Sequence, residues 1–504
     1  MPINSRLIAK NTAFLYVRLI LVVLVTLYTS RVLLDKLGEV DYGLYNVVYS
    51  VIGMFAFLNG TLSTSTSRFI TFALGTKDPD YLQKVFNTTL ITHLFLAGII
   101  VLLGETIGLW YAHHVMVVPP GRWDAAMIVF QVSIVSSVIS ILQVPFTSEV
   151  IAHEKMDAYA FVGIFEVVAK LSVVFLLSKS NADRLVFYAI LTLIVSVVVC
   201  ACYFIYCRKS FQEIVFSLQL DRKSFKEIVS FSSWNILAYV SNTLMGQGVI
   251  MLYNVFFAPV VVAAQAIANQ VFTALSQFSW NVRNAVNPQI IKLYADGKYD
   301  ESSRLTFVSA ELLLFLTMFF CVPCILVMPT LLNIWLVDVP EHTLQFARLL
   351  VLQLILDSYG ASFYAPMLAA NKISKNSVIA AIMSAIQFAA IYLLFKSGLG
   401  PLWARYVCII SVVLFSFVIK PVILCRDIGY QPHQMIRSLL RGLLVMMIVG
   451  VVNGALFVLF PQNTIWQSAL VVVLSVLSVL IAAVCFTEKD IRMRFYVFVK
   501  NRFR

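Results

Sequence analysis

Apolar runs of about twenty residues dominate this chain, and nothing else in it limits the fold so severely. A hydrocarbon core about 30 Å thick takes about 20 helical residues to cross. Runs of that length lie near 12–34, 43–66, 85–110, 124–148, 158–178 and 185–207, then near 228–257, 259–283, 305–336, 343–368, 376–395, 401–424, 438–460 and 464–487. In lipid every backbone group must be bonded within the protein, so such runs read as helices. The expected fold class is an all-α polytopic membrane protein with about fourteen transmembrane helices. Composition agrees: the 504 residues are 60% hydrophobic and 12% charged, with mean hydropathy +0.89, where soluble proteins carry about 25% charged residues. The opening "MPINSRLIAKNTAF" lacks a small-residue cleavage site, so the first run is expected to be a retained helix.

The net charge of +12 points to nucleic acid or to a membrane surface, and the placement of the cations decides between them. Of 37 Lys and Arg, 27 fall in the set of loops that includes both termini and five in the other set. By the positive-inside rule both termini are expected in the cytoplasm. The C-terminal "EKDIRMRFYVFVKNRFR" interleaves basic and aromatic residues directly after the last span, which suits anionic lipid rather than nucleic acid.

A basic loop at 208–227 separates two sets of six spans, and "FITFALGTKDPDYLQKVF" (69–86) in the first set corresponds in position to "IIKLYADGKYDESSRLTF" (290–307) in the second. Both sets begin on the same side, so the halves are expected to be parallel repeats. The expected organisation is a six-helix N-terminal lobe (1–207), a cytoplasmic linker (208–227), a six-helix C-terminal lobe (228–424) and two extra helices with a basic tail (425–504).

Several chemistries are unsupported. There is no G-x-x-x-x-G-K-[ST], so ATP hydrolysis within the chain is not expected. The six histidines have no H-E-x-x-H spacing, and no metal or other cofactor is expected. Cys321 and Cys324 form "CVPC", but in an apolar run without βαβ context they read as buried small side chains.

Charges left inside the spans are more informative, because they are costly there. Arg18 interrupts "FLYVRLILVV", with Arg31 further along the same span. Its Cα lies about 12 Å beyond Lys10 along a helix, at the limit of snorkelling, so a pathway-facing role competes with an interfacial one. Arg68 and Arg283 stand where the second and eighth spans meet the cytoplasm. Glu166 and Lys170, four residues apart, form either a self-neutralising pair or a pathway wall. Asp357, in "LILDSYGASFYAP", is a candidate proton or sodium site. Glu105, Glu311, Arg348 and Arg405 are expected to snorkel at span ends. Asn and Gln are dense in the seventh and eighth spans, including Asn242, Gln247, Asn254, Asn269 and Gln270, as in the wall of a hydrated cavity suited to sugar hydroxyls.

The six, six and two arrangement, the opening "NTAFLYVRLILVVLVTLYTSRVLLDKLGEVDYGLYNVVYSV", "GTLSTSTSRFITFALG" and "NPQIIKLYADGKYDES" resemble the oligosaccharide flippases of bacterial polysaccharide export. These belong to the multidrug/oligosaccharidyl-lipid/polysaccharide exporter superfamily. The resemblance implies two pseudo-symmetric six-helix lobes around a central V-shaped cavity, with two C-terminal helices appended. It implies alternating access that carries an undecaprenyl-pyrophosphate-linked oligosaccharide, as for O-antigen, across the bacterial inner membrane. It further implies that Arg18, Arg31, Arg68 and Arg283 hold the pyrophosphate, as arginines on the first, second and eighth helices do in related lipid II flippases. Arginine's planar fork suits phosphate oxygens. The expected partners are the lipid-linked substrate, membrane lipids and other polysaccharide assembly proteins. Two rivals remain: a drug or metabolite cation antiporter of the same superfamily, and a membrane-embedded polysaccharide polymerase, which would ordinarily carry a large external loop.

Overall fold

A computed structural model of the chain describes residues 5–76, 78–177, 179, 182–211, 214–215, 221–222, 225–226, 239–460 and 464–486, with backbone alone at 5–20, 56–64, 284 and 285. Every regular element among the described residues is helical. The first half contains α1 (Ser5–Gly53), α2 (Ala56–Thr76), α3 (Pro79–Leu103), α4 (Leu109–His114), α5 (Trp123–Ala152), α6 (Met156–Leu177) and α7 (Arg184–Ser210). The second contains α8 (Val249–Ala295), α9 (Tyr299–Leu326), α10 (Met328–Trp335), α11 (Thr343–Ala361), α12 (Tyr364–Ala369), α13 (Ile373–Lys396), α14 (Trp403–Leu414) and α15 (Lys420–Ile423). The last two are α16 (Pro432–Leu459) and α17 (Ile465–Phe486). Single π turns join α3 to α4, precede α8 and flank α15.

Ten described helices are long and apolar enough to cross a membrane, and the chain is a multi-pass membrane protein. Their outer faces stay greasy, as lipid requires: Val451 and Val458 on α16 are 73% and 79% exposed, and Trp466 on α17 is 85% exposed.

The two longest helices each contain one residue that is not helical. In α1 it is Gly38 (φ 77°, ψ 169°), and in α8 it is Ala258 (φ 69°, ψ 170°). Each break makes two rods, at the boundaries expected between the first and second spans and between the seventh and eighth. The same correspondence recurs along both halves. Left-handed Gly121 and His342 precede α5 and α11, with Arg122 N–H donating to Pro119 O and Thr343 N–H to Pro340 O, both at 3.1 Å. Left-handed Glu154 and Asn371 precede α6 and α13, with Lys155 N–H on Val150 O at 3.0 Å and Lys372 N–H on Met367 O at 2.9 Å. The halves are therefore repeats at the level of backbone torsion, although few of their side chains match.

Contacts divide the chain into two compact units, residues 1–266 with 384–397, and residues 267–383 with 398–504. In the first, Ile70, Val85, Phe86, Phe146 and Val199 form a core where α2, α3, α5 and α7 meet. Beside it, Gly43 lies against the break in α8, where a Cβ would stand 1.9 Å from Pro259 O, so only glycine fits. At one end of this unit Arg122 ties two acids together. Its Nε donates to Asp41 at 2.8 Å, and its Nη1 pairs with Asp183. Burial raises the pKa of Asp41, outweighing the charge and hydrogen bond of Arg122. Asp183 feels a similar upward push, but the hydrogen bond and charge of Arg122 and two backbone amides hold it below the ordinary carboxylate range. In the second unit Leu313, Leu314, Phe346, Tyr359 and Phe363 are buried, with the Tyr359 ring stacked on Phe417 at 5.8 Å.

Candidate functional site

Polar side chains cost several kcal/mol in a membrane interior unless bonded, so their clusters mark the candidate site. Each unit has one.

In the first unit a cavity of about 380 Å³ opens among α1, α3, α5, α6 and α7. Ser133, Ser136, Ser137 and Ser140 of α5 line it. Their spacing of three, four and seven puts them on one helical face. Thr192 and Ser196 of α7, Tyr45 and Tyr49 of α1, and Tyr188 add further hydroxyls. Glu166 and Lys170 stand on its wall, paired at 2.6 Å and about one third and one half exposed. A fixed ion pair among many hydroxyls suits a neutral, polyhydroxylated ligand.

In the second unit Asp357 of α11 meets the helix that carries Lys420. Its carboxylate accepts from Ser416 Oγ at 3.2 Å and lies 3.9 Å from Lys420 Nζ. The ammonium is buried, donates to Gly360 O at 3.1 Å and sits 5.0 Å from the Phe415 ring centroid. Close helix approach makes this possible, because a Cβ on Gly360 would be 2.4 Å from Ser416 Cβ. Lys420 is counted with the loop cations although the apolar run 401–424 reaches past it, and the helical segment runs unbroken through it to Ile428. The apolar "PVIL" that follows (421–424) was the signal.

Arg283 lies in the electrostatic field of Asp357 and Lys420. It is half-buried, its guanidinium is 5.7 Å from the Trp280 ring centroid, and its Nε is buried without a hydrogen-bond partner. Its helix continues to Ala295, so Arg283 sits about 18 Å before the helix end, deeper than a span boundary at 283 implies. Arg31 is partly buried in α1. Arg68 is exposed on α2, 6.0 Å from the Phe69 ring centroid. The side chain of Arg18 lies outside the described residues, as does the basic tail after 486.

The amides divide. Asn242 and Gln247 belong to the first unit, and Asn269 and Gln270 to the second. Asn254, expected in a hydrated wall, is instead a fully buried staple, accepting from Val117 N–H at 2.9 Å and donating to Val117 O at 3.0 Å. Two snorkelling expectations also need correction, those for Glu311 and Arg405. Glu311 is 7% exposed and paired with Arg441 at 3.0 Å. Arg405 is buried. Arg348 donates to Ile325 O at 3.2 Å and covers the Phe457 ring. For Glu311 and Arg348 the partner stands on a neighbouring helix. Among the described residues no three His, Cys, Asp or Glu gather as metal ligands would, and Cys321 and Cys324 are free thiols in α9.

No protein-family model matches the chain, and no curated protein matches its sequence. Solved structures do match in fold. The lipid II flippase MurJ, in an inward closed conformation, aligns with TM-score 0.68 at 13% identity, over 98% of this chain and all of that one. An inward-facing multidrug resistance MATE family transporter of the MOP superfamily gives TM-score 0.68 at 14% identity, over 78% of this chain and 92% of its own. The MATE multidrug transporter DinF-BH, in complex with R6G, gives TM-score 0.63 at 14% identity, over 84% and 96%. The chain has the two-lobed, all-helical fold of these transporters.

Proposed function

We propose that the chain is a flippase that carries undecaprenyl-pyrophosphate-linked oligosaccharide across the bacterial inner membrane by alternating access, for cell-surface polysaccharide such as O-antigen. One observation carries the reading. The lipid II flippase matches nearly the whole chain, whereas the multidrug transporters span most of themselves yet leave 16% to 22% of this chain uncovered. Parts of this chain thus have counterparts in the lipid carrier that the drug carriers lack.

The chemistry supports it. Flipping changes no covalent bond, so the site has only to bind. Arg283 offers a buried donor in partly desolvated surroundings, where a guanidinium meets a diphosphate bidentately. Arg18, Arg31 and Arg68 are its proposed companions on the first two helices. The serine-lined cavity, with Asn242, Gln247, Asn269 and Gln270, is proposed for the sugars, and Glu166 with Lys170 as a charge pair that the sugar path adjoins. For coupling, Asp357 is the proposed proton or sodium site, with Lys420 Nζ 3.9 Å from its carboxylate. Membrane lipids and other assembly proteins are the proposed partners, and the termini are proposed to be cytoplasmic.

The cation antiporter keeps one observation in its favour, the 48% exposed carboxylate of Asp357. Proteoliposomes separate the two readings. Labelled lipid-diphosphate oligosaccharide is expected to become accessible in the opposite leaflet faster than in protein-free vesicles. A protein-free rate, together with export of a cationic dye on a pH gradient, would overturn the flippase.

A further inference from the structure

Away from these clusters, the second unit holds a cavity of about 520 Å³ between the beginnings of α9 and α16. Arg304 comes from α9, and Arg437 and Arg441 from α16, with Ser303, Gln431 and Gln434 between them. Asp300 and Glu311 also line it, but Glu311 is already neutralised by Arg441 at 3.0 Å. The lining therefore carries a net charge of +1. The N-terminus of α16 adds to it, since this helix has neither a side-chain cap nor an acid in its first turn, leaving the positive end of its dipole uncompensated. Ser438 of the lining is held by a hydrogen bond of 2.5 Å to Tyr359, and nearby Thr306 and Tyr430 share one of 3.1 Å.

The surroundings say what kind of anion fits. Arg437 is exposed, and on the same turns Ile436 and Leu440 are 56% and 62% exposed. A cationic pocket with bare apolar side chains on the same helical turns has the profile of a lipid site, with charge for the headgroup and grease for the acyl chains. A lining of +1 matches the single charge of a phosphodiester, and arginine forks with glutamine amides match its oxygens.

We propose that this cavity binds the phosphodiester headgroup of an anionic membrane lipid. The site is separate from the residues assigned to the transported diphosphate, so it stands whether or not that assignment does. The full chain, purified in a neutral detergent, is titrated with phosphatidylglycerol, phosphatidylcholine or inorganic phosphate while its thermal unfolding is followed. Phosphatidylglycerol is expected to raise the unfolding temperature, and the other two to leave it unchanged. In Arg304→Gln/Arg437→Gln the apparent affinity for phosphatidylglycerol should fall about thirtyfold. Arg441 is left in place because it holds Glu311. Lys179→Gln, the same kind of charge loss elsewhere, should bind as wild type does. An equal shift from phosphatidylcholine or inorganic phosphate would overturn the headgroup assignment. Absence of any shift, or a shift that survives the double substitution, would overturn the site. If the double variant does not fold, each single variant is expected to show a weaker loss, and two single variants that bind as wild type would also refute it.

Discussion

Lys420 shows how a membrane interior accommodates a charge: the ammonium is buried, yet a carbonyl, a carboxylate and an aromatic face surround it. Asp357→Asn should therefore lower stability by about 2 kcal/mol, because it leaves that ammonium less compensated. Adding Lys420→Met should recover part of the loss, and strictly additive costs in thermal unfolding would refute the coupling. The Arg122 clamp makes a second prediction, this time in pH. Asp183 is held below its ordinary pKa, so its contribution is complete above about pH 4 and is lost as pH falls further. Asp41 is raised, so its contribution belongs to acid and is lost as pH rises through its elevated pKa. Asp183→Asn should thus lower the unfolding temperature at pH 7 and converge on wild type near pH 2, while Asp41→Asn should cost less at pH 7. At this scale the sequence was only partly informative. It showed that Asp357 and Arg283 were unusual, but not that Lys420 would be buried, since its carbonyl and carboxylate partners stand about sixty positions earlier.

Secondary structure was far more legible, because lipid leaves the backbone few choices. The correspondence between 69–86 and 290–307 stood in the sequence although only three of their residues are identical. What no sequence pattern displayed was the agreement of torsions at Gly38 and Ala258. The serines of α5 were legible in principle, since "SIVSSVIS" (133–140) has helical spacing. In so apolar a run they are easily passed over. Alanine at φ 69° is strained, as L side chains seldom adopt this region. Ala258→Gly should accordingly stabilise the protein by about 1 kcal/mol without altering transport, and a lower unfolding temperature would show that the strain is absent or compensated.

For the whole molecule, the decisive cation is Arg283, whose buried Nε has no hydrogen-bond partner among the described residues. In the vesicle assay Arg283→Lys is expected to retain part of the flipping rate, and Arg283→Ala to lose about tenfold or more, the equivalent of one charge-assisted hydrogen bond. Equal rates in all three would remove Arg283 from the pyrophosphate site while leaving the fold untouched. The break at Ala258 bears on the molecule as well as on its helix. A glycine makes such a bend cheaply at residue 38, but an alanine holds the same shape 220 positions later. The bend is therefore remembered by its surroundings: by Pro259, which disfavours helix in the residue before it, and by Gly43, which leaves room for that proline's carbonyl. Shape in this protein is a collective property, and a residue can be replaced without the chain forgetting where to turn.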